Sequence, residues 1–348
     1  MSQIRPTRIV FRRFLVAVIM LLVVTGCERN QVTDTLSEYQ QRMANVLDTS
    51  FNAAMTSSSA PLVTLHYPNK RELTNRIKPT QLDVKAFYSL KQCDLNVLIA
   101  QRNTPLGRTQ LPSVRYIYER EVLASLSRCK TLMPQHSELL DKWLEYKQLT
   151  LPLVWANLVQ TSDETINAFS SNSDFFVSAT PTQLHETQSA LSYLLALNDS
   201  DNSLANSSAL ESNLDLLSKA HLPARTWRTQ AVLQNELNKT TQWLKKQNLH
   251  ALCPDGKASQ KIKYLKNVFT LFFIEKIQPI GSELNRVHYA LMPFYSALSQ
   301  HPSLASPFRQ YINTHGNDGF DGYQNAIKNH VQFWQTLFKH CGISPRAN

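Results

Sequence analysis

Only 8 of the 348 residues are glycine, against a usual share of ~7%. So few glycines argue against phosphate-cradling Gly-rich loops and against β-rich folds built on many tight turns. The uninterrupted apolar run Phe14 to Val24 has eleven residues, far short of the ~20 that a helix needs to cross a bilayer. No Cys-x-x-Cys pair occurs, so zinc-ribbon and thioredoxin-like chemistry lack support. There is no G-x-S-x-G elbow, no H-E-x-x-H and no Walker loop. Ser127-Arg128-Cys129-Lys130 fits Ser-x-x-Lys but has no K-T-G companion. Asn317 to Gly322 looks calcium-like at first. With Gly322 as the sixth loop residue, the third ligand position is Gly319 and the twelfth is Lys328, where glutamate is required. No metal and no cofactor is expected.

The N-terminus carries an address. Arg5, Arg8, Arg12 and Arg13 precede the apolar run, with no acid among residues 1–26. The arrangement suits a signal peptide rather than a membrane span. The run ends in Leu22-Val23-Val24-Thr25-Gly26-Cys27, which resembles a bacterial lipobox. Residues 1–26 are therefore expected to be removed and Cys27 to be lipidated, leaving residues 27–348 as the mature chain. Loss of the four arginines lowers the formal charge from +10 to +6. An exported, mildly basic chain is not expected to meet nucleic acid; anionic lipid and cell-wall polymer are compatible with it. Glu28 stands where lipoproteins kept in the inner membrane usually have Asp, which favours the outer membrane, facing the periplasm. About six residues separate Cys27 from the first helical stripe, a tether of at most ~20 Å.

Four cysteines remain: Cys93, Cys129, Cys253 and Cys341. An oxidising compartment makes two disulfides the natural reading. Three pairings are open, of which Cys93–Cys129 with Cys253–Cys341 is favoured. In a hairpin of straight helices the first pair would be out of register by ~10 Å. A late helix start after Pro112, or a folded-back connection, would have to absorb that.

Apolar residues recur at helical spacing almost throughout, as in Leu36, Tyr39, Met43, Val46 and Leu47. Helices are predicted at about 81–102, 113–133, 135–148, 151–169, 181–197, 208–220, 223–248, 258–277, 280–299 and 322–341. Residues 61–79 hold three prolines and read as an extended crossing. Val268 to Ile274 reads as the middle of a buried helix that Pro279 should end or kink. Asn198 to Ser208 is a polar connector and a possible boundary between two lobes. Phe175 and Phe176 sit in a polar loop, either as an exposed tip or tucked into the core. The fold class expected is all-α: a disulfide-stapled bundle of about ten helices with little or no sheet, in a single domain.

One segment is rich in polar groups. Arg102-Asn103-Thr104-Pro105-Leu106-Gly107-Arg108 is followed by Arg115, Tyr118 and Glu119. It can be read as a helix stop and turn next to an i,i+4 ion pair. It can also be read as a ligand-binding cluster of Arg102, Asn103, Arg115, Tyr118 and Glu119.

The lipobox, the run Cys93-Asp94-Leu95-Asn96 to Arg102-Asn103 with Pro105-Leu106-Gly107, and the later Cys129 resemble an uncharacterised family of proteobacterial lipoproteins, domain of unknown function 3080. The resemblance implies a mostly helical envelope protein and brings no activity, cofactor or catalytic residue. The function expected is a non-catalytic binding or assembly factor at the membrane surface. It would be anchored by its N-terminal lipid, with an envelope protein or cell-wall polymer as partner. The alternative is a periplasmic enzyme acting on cell-wall or lipid substrate.

Overall fold

The structure, a computed structural model, describes residues 31–51, 63–79, 84–199 and 206–343. The expected signal peptide, residues 1–26, and the expected lipidation site Cys27 lie outside the described residues, as do 200–205 of the 198–208 connector. The described chain is all-α, without a strand, and carries two disulfides, Cys93–Cys129 and Cys253–Cys341. No described helix is long and apolar enough to cross a membrane. The chain forms two compact units. Among the described residues, one takes 31–51, 243–280 and 337–343; the other takes 63–79, 84–199, 206–242 and 281–336. The division thus falls at places other than the 198–208 connector.

In the first unit, helix α1 (Gln31–Val46) buries Val32, Leu36, Tyr39 and Met43. The ring of Tyr39 lies 6.4 Å from that of Phe272, stacked against it. Phe272 belongs to a stretch of π-helix, Phe269–Ile277. The apolar run at this point is less deeply buried than its composition predicts: Phe272, Phe273 and Ile277 are inside, while Leu271 is 50% exposed. Nor does Pro279 end the helix. The π-turn shifts the hydrogen bonding by one residue, with Gln278 N–H donating to Phe273 O. The missing N–H of Pro279 falls where the register is already displaced, and helical structure continues to Gln300.

The second unit is built from successive helices. They are α2 (Lys70–Leu73), α3 (Val84–Ser89) with a 3₁₀ turn Leu90–Cys93, α4 (Leu95–Asn103), α5 (Pro105–Arg108), α6 (Pro112–Leu132), α7 (Ser137–Thr161), α8 (Asp163–Ser170), α9 (Pro181–Ala196) and α10 (Ser207–Ala220). Parts of Leu222–Lys246, Gln278–Gln300 and Gly319–His340 complete it, with Ser306–Asn313. The predicted helices 135–148 and 151–169 are merged and then re-cut. Pro152 lies inside α7, and the break comes at Ser162 instead.

The predicted helix 81–102 is broken at Asp94, whose φ of 59° is left-handed. This break is the folded-back connection that Cys93–Cys129 needs. The chain turns directly after Cys93, so that cysteine no longer has to keep the register of α4. Residues 63–79 run extended apart from the single turn α2. The crossing is clamped to α7: Asn75 N–H donates to Asn157 Oδ1 (2.7 Å) and Asn157 Nδ2 donates back to Asn75 O (3.0 Å). Tyr146 Oη donates to Lys78 O at 2.6 Å.

Candidate functional site

The polar segment singled out in the sequence becomes one side of a cavity of about 770 Å³ in the second unit. Local chemistry dictates how α4 gives way to α6. Thr104 caps α5, its hydroxyl accepting from Gly107 N–H at 3.0 Å while donating to Gln101 O at 2.7 Å. Pro105 and Pro112 occupy the first turns of α5 and α6, where a missing N–H costs nothing. Arg102 donates to Gly107 O and holds the turn against α4. A Cβ on residue 107 would collide with the backbone of Gln101 and come within 2.7 Å of Arg102 O. Gly107→Ala is therefore expected to cost about 2 kcal/mol, in the range for forced overpacking, and to lower the thermal midpoint. An unchanged midpoint would show that the turn has room to spare.

Beyond the turn, α6 presents Arg115, Tyr118, Val122 and Leu126 to the cavity. Glu119 is 3% exposed and does not line it. Both its carboxylate oxygens are engaged, Oε1 by Arg115 and Oε2 by Lys147 Nζ at 2.8 Å. A buried carboxylate needs such partners, because an unpaired charge away from water is costly. The guanidinium of Arg115 also lies over the Tyr118 ring, 5.3 Å from its centroid. Burial, with Glu119 adding to it, raises the Tyr118 phenol to about 12 despite Arg115. The phenol stays protonated and is no base at neutral pH.

Of the five residues in the candidate cluster, Arg102, Asn103, Arg115 and Tyr118 line the cavity together. Glu119 stands behind the wall as a structural counter-ion. The other lining residues were not placed at a site by the sequence reading, among them Lys78 from the extended crossing, and Trp143 and Lys147 from α7. Trp143 and Lys147 share a face of α7 at i,i+4, but nothing local says that this face meets Arg115. Four cations thus surround the cavity, and the one carboxylate beside them, Glu119, leaves most of that charge uncompensated. The arrangement can hold an anion.

Other sequence candidates resolve into structure. Phe176 is fully buried and its N–H donates to Thr229 Oγ1 at 2.7 Å; Phe175 packs under the Arg228 guanidinium at 4.7 Å. The pair is no exposed tip. Ser127 Oγ donates to Leu123 O, and Lys130 pairs with Asp141 at 2.6 Å, so no Ser–Lys dyad forms. Asn317 and Asp318 sit in a π-turn that runs directly into the helix Gly319–His340.

The structure also assembles Ser173, Asp174 and His221, which sequence spacing does not connect. His221 Nε2 faces both Ser173 Oγ (2.9 Å) and Asp174 Oδ1 (3.1 Å), while Nδ1 faces Ser218 O (3.2 Å). A catalytic triad needs the hydroxyl and the carboxylate on opposite ring nitrogens. Here both crowd the same one. Arg225 Nε adds a contact to Asp174 Oδ2 at 2.9 Å. Burial pushes Asp174 up, but the Ser173 hydroxyl with Arg225 and His221 outweighs it and holds the carboxyl below its ordinary range. The cluster is a clamp for the loop after α8.

No curated protein and no solved structure matches this chain. A family model described as "Protein of unknown function (DUF3080)" matches residues 36–345, nearly the whole of the chain after its first 35 residues. The chain belongs to the DUF3080 family.

Proposed function

We propose that this protein is a lipid-anchored, non-catalytic binding factor of the bacterial envelope. Cys27 carries the lipid, and the helical body is held close to the periplasmic face of the outer membrane. The cavity between α4, α6 and α7 is its binding site. The observation that carries this reading is the combination of apolar walls and four cations around one volume of about 770 Å³. Pockets of 300–1,000 Å³ with a few convergent polar groups suit small ligands or a partner's inserted side chains. The groups lining it favour holding over turnover. The nearby carboxylate is already doubly paired, and the Tyr118 phenol keeps its proton.

Crosslinking in intact cells, with affinity purification of the native chain and of Cys27→Ala, tests this reading. One envelope protein or cell-wall polymer captured at near-equal amounts, and lost from Cys27→Ala, is the expected result. It should also be lost when Ile99→Trp fills the cavity. Equal capture by all three forms would overturn both the anchor and the site.

A further inference from the structure

Three helices line the cavity, and each distributes its side chains the same way. On α6, Arg115 stands near the start, with Val122 and Leu126 beyond it. At 1.5 Å per residue, Leu126 stands about 16 Å along the helix axis from the Arg115 backbone. On α4, which ends at the turn leading to α6, the order reverses: Leu95 and Ile99 come first and Arg102 last. On α7, which returns antiparallel to α6 after the turn at Pro134–His136, Trp143 precedes Lys147. The Lys147–Glu119 contact fixes the register of that return at 2.8 Å. The cations of all three helices therefore gather at one end of the cavity. The apolar side chains gather at the other end, beside the buried Cys93–Cys129 disulfide and its hydrophobic cluster.

The cationic end is also under-satisfied. Arg115 Nη1 has no hydrogen-bond partner among the described residues, and neither has Glu119 Oε1, which Nη2 meets only as an ion pair. Arg102, Arg115 and Lys147 meet a single carboxylate there, Glu119, so that end is left with excess positive charge that an incoming oxyanion would offset. A free inorganic anion would satisfy that end alone and leave the apolar wall in contact with water. A neutral lipid chain would do the reverse.

We infer that the cavity binds a single-chain anionic amphiphile, with a carboxylate or phosphate headgroup at Arg115 and Lys147 and an apolar tail along Ile99, Val122 and Leu126. This inference rests on the reading of the cavity as the binding site. It adds the class of ligand. A fatty carboxylate and an alkyl phosphate share the required chemistry, and the test separates them.

The full lipidated chain, held in phosphatidylcholine nanodiscs, is dialysed to equilibrium against labelled laurate, dodecyl phosphate, dodecanol, dodecyltrimethylammonium or inorganic phosphate. Binding to empty nanodiscs is subtracted. Saturable binding of laurate or dodecyl phosphate at one per chain is expected, and the tighter of the two names the headgroup. Dodecanol, the cationic amphiphile and inorganic phosphate should each bind at least about tenfold more weakly, the scale of one charge-assisted hydrogen bond. Arg115→Gln should weaken the anionic amphiphile by a similar factor, and Arg115→Lys should recover part of it at unchanged stability. Ile99→Trp should abolish it.

Equal binding of dodecanol or dodecyltrimethylammonium, or inorganic phosphate binding as tightly as the amphiphiles, would overturn the ligand class. If Ile99→Trp still blocks binding in that case, the cavity stands as a site for another ligand. If no probe binds and Ile99→Trp leaves partner capture in cells unchanged, the site itself is wrong.

Discussion

Replacing Cys93 and Cys129 with alanine is expected to destabilise the second unit by about 4 kcal/mol, the chain-entropy value for a closed loop of this length. The two cysteines lie 36 residues apart, and both are buried, at 7% and 0% exposed. The disulfide acts mainly on the unfolded chain, whose loop it closes in advance. Loss of two buried sulfur atoms adds a smaller packing term. The bond also sets the geometry of the cavity, because it fixes the turn at Asp94 from which α4 departs. Loss of stability should therefore be accompanied by loss of ligand binding, even under conditions where the helices persist. The Cys253–Cys341 pair closes 88 residues, and its removal should cost about 0.8 kcal/mol more by the same relation. Denaturant unfolding of the two double variants beside the parent measures both values. A loss below about 1 kcal/mol for either pair would mean that the unfolded chain is already constrained by something else.

Stability should also fall steeply as pH drops from 7 to 5, by about 2 kcal/mol for each of two histidines. His330 is fully buried, and burial pushes it down to about 3. Its ring is wired as a neutral species: Trp334 Nε1 donates to Nε2 at 3.1 Å, so Nδ1 carries the proton and gives it to Thr241 Oγ1 at 2.8 Å. The Thr241 hydroxyl in turn donates to Leu237 O. A second proton, on Nε2, would set two donors against each other where Trp334 Nε1–H now donates. His288 lies face to face with Phe320, ring centroids 3.5 Å apart, and burial lowers it to about 4 even though Asp321 pulls the other way.

Both folded values lie below the ordinary ~6.5 of the unfolded chain. Above 6.5 both states are neutral and the full stability is present. Between 6.5 and about 4 the unfolded state takes up protons that the folded state refuses, so stability is lost as pH falls. Asp174, held below its ordinary range, adds its own loss only at lower pH and leaves the window from 7 to 5 to the histidines. His330→Gln should flatten the dependence by about 2 kcal/mol. A pH profile unaltered by that substitution would show that His330 titrates normally in the folded protein.

Much of this molecule is legible from local signals, because helix formation and side-chain stripes depend on residues three or four apart. The stripe Leu36, Tyr39, Met43 becomes the buried face of α1. The helix after Pro112 begins where proline at the first turn would place it. Arg115 and Glu119 pair at i,i+4 as their spacing requires. The all-helical class, the stapling by disulfides and the family follow from such signals and from the short motif around Cys93 and Arg102.

What local signals do not carry is register between distant segments. Asp94 takes a left-handed φ because the disulfide and α4 both demand a reversal there, although aspartate in a helical pattern does not announce one. Pro152 and Pro279 stay inside helices because neighbouring turns and packing absorb the missing N–H. Lys147 meets Glu119 at a sequence separation of 28, a contact set by how α6 packs on α7. From sequence alone, Arg102, Asn103, Arg115, Tyr118 and Glu119 look like one cluster of equals. Packing separates them: it buries Glu119 behind the wall as a counter-ion and leaves Arg115 with an unpartnered N–H. The chemistry of each group was written in the chain, whereas its accessibility and its neighbours depend on three helices meeting, and only the tertiary structure decides that.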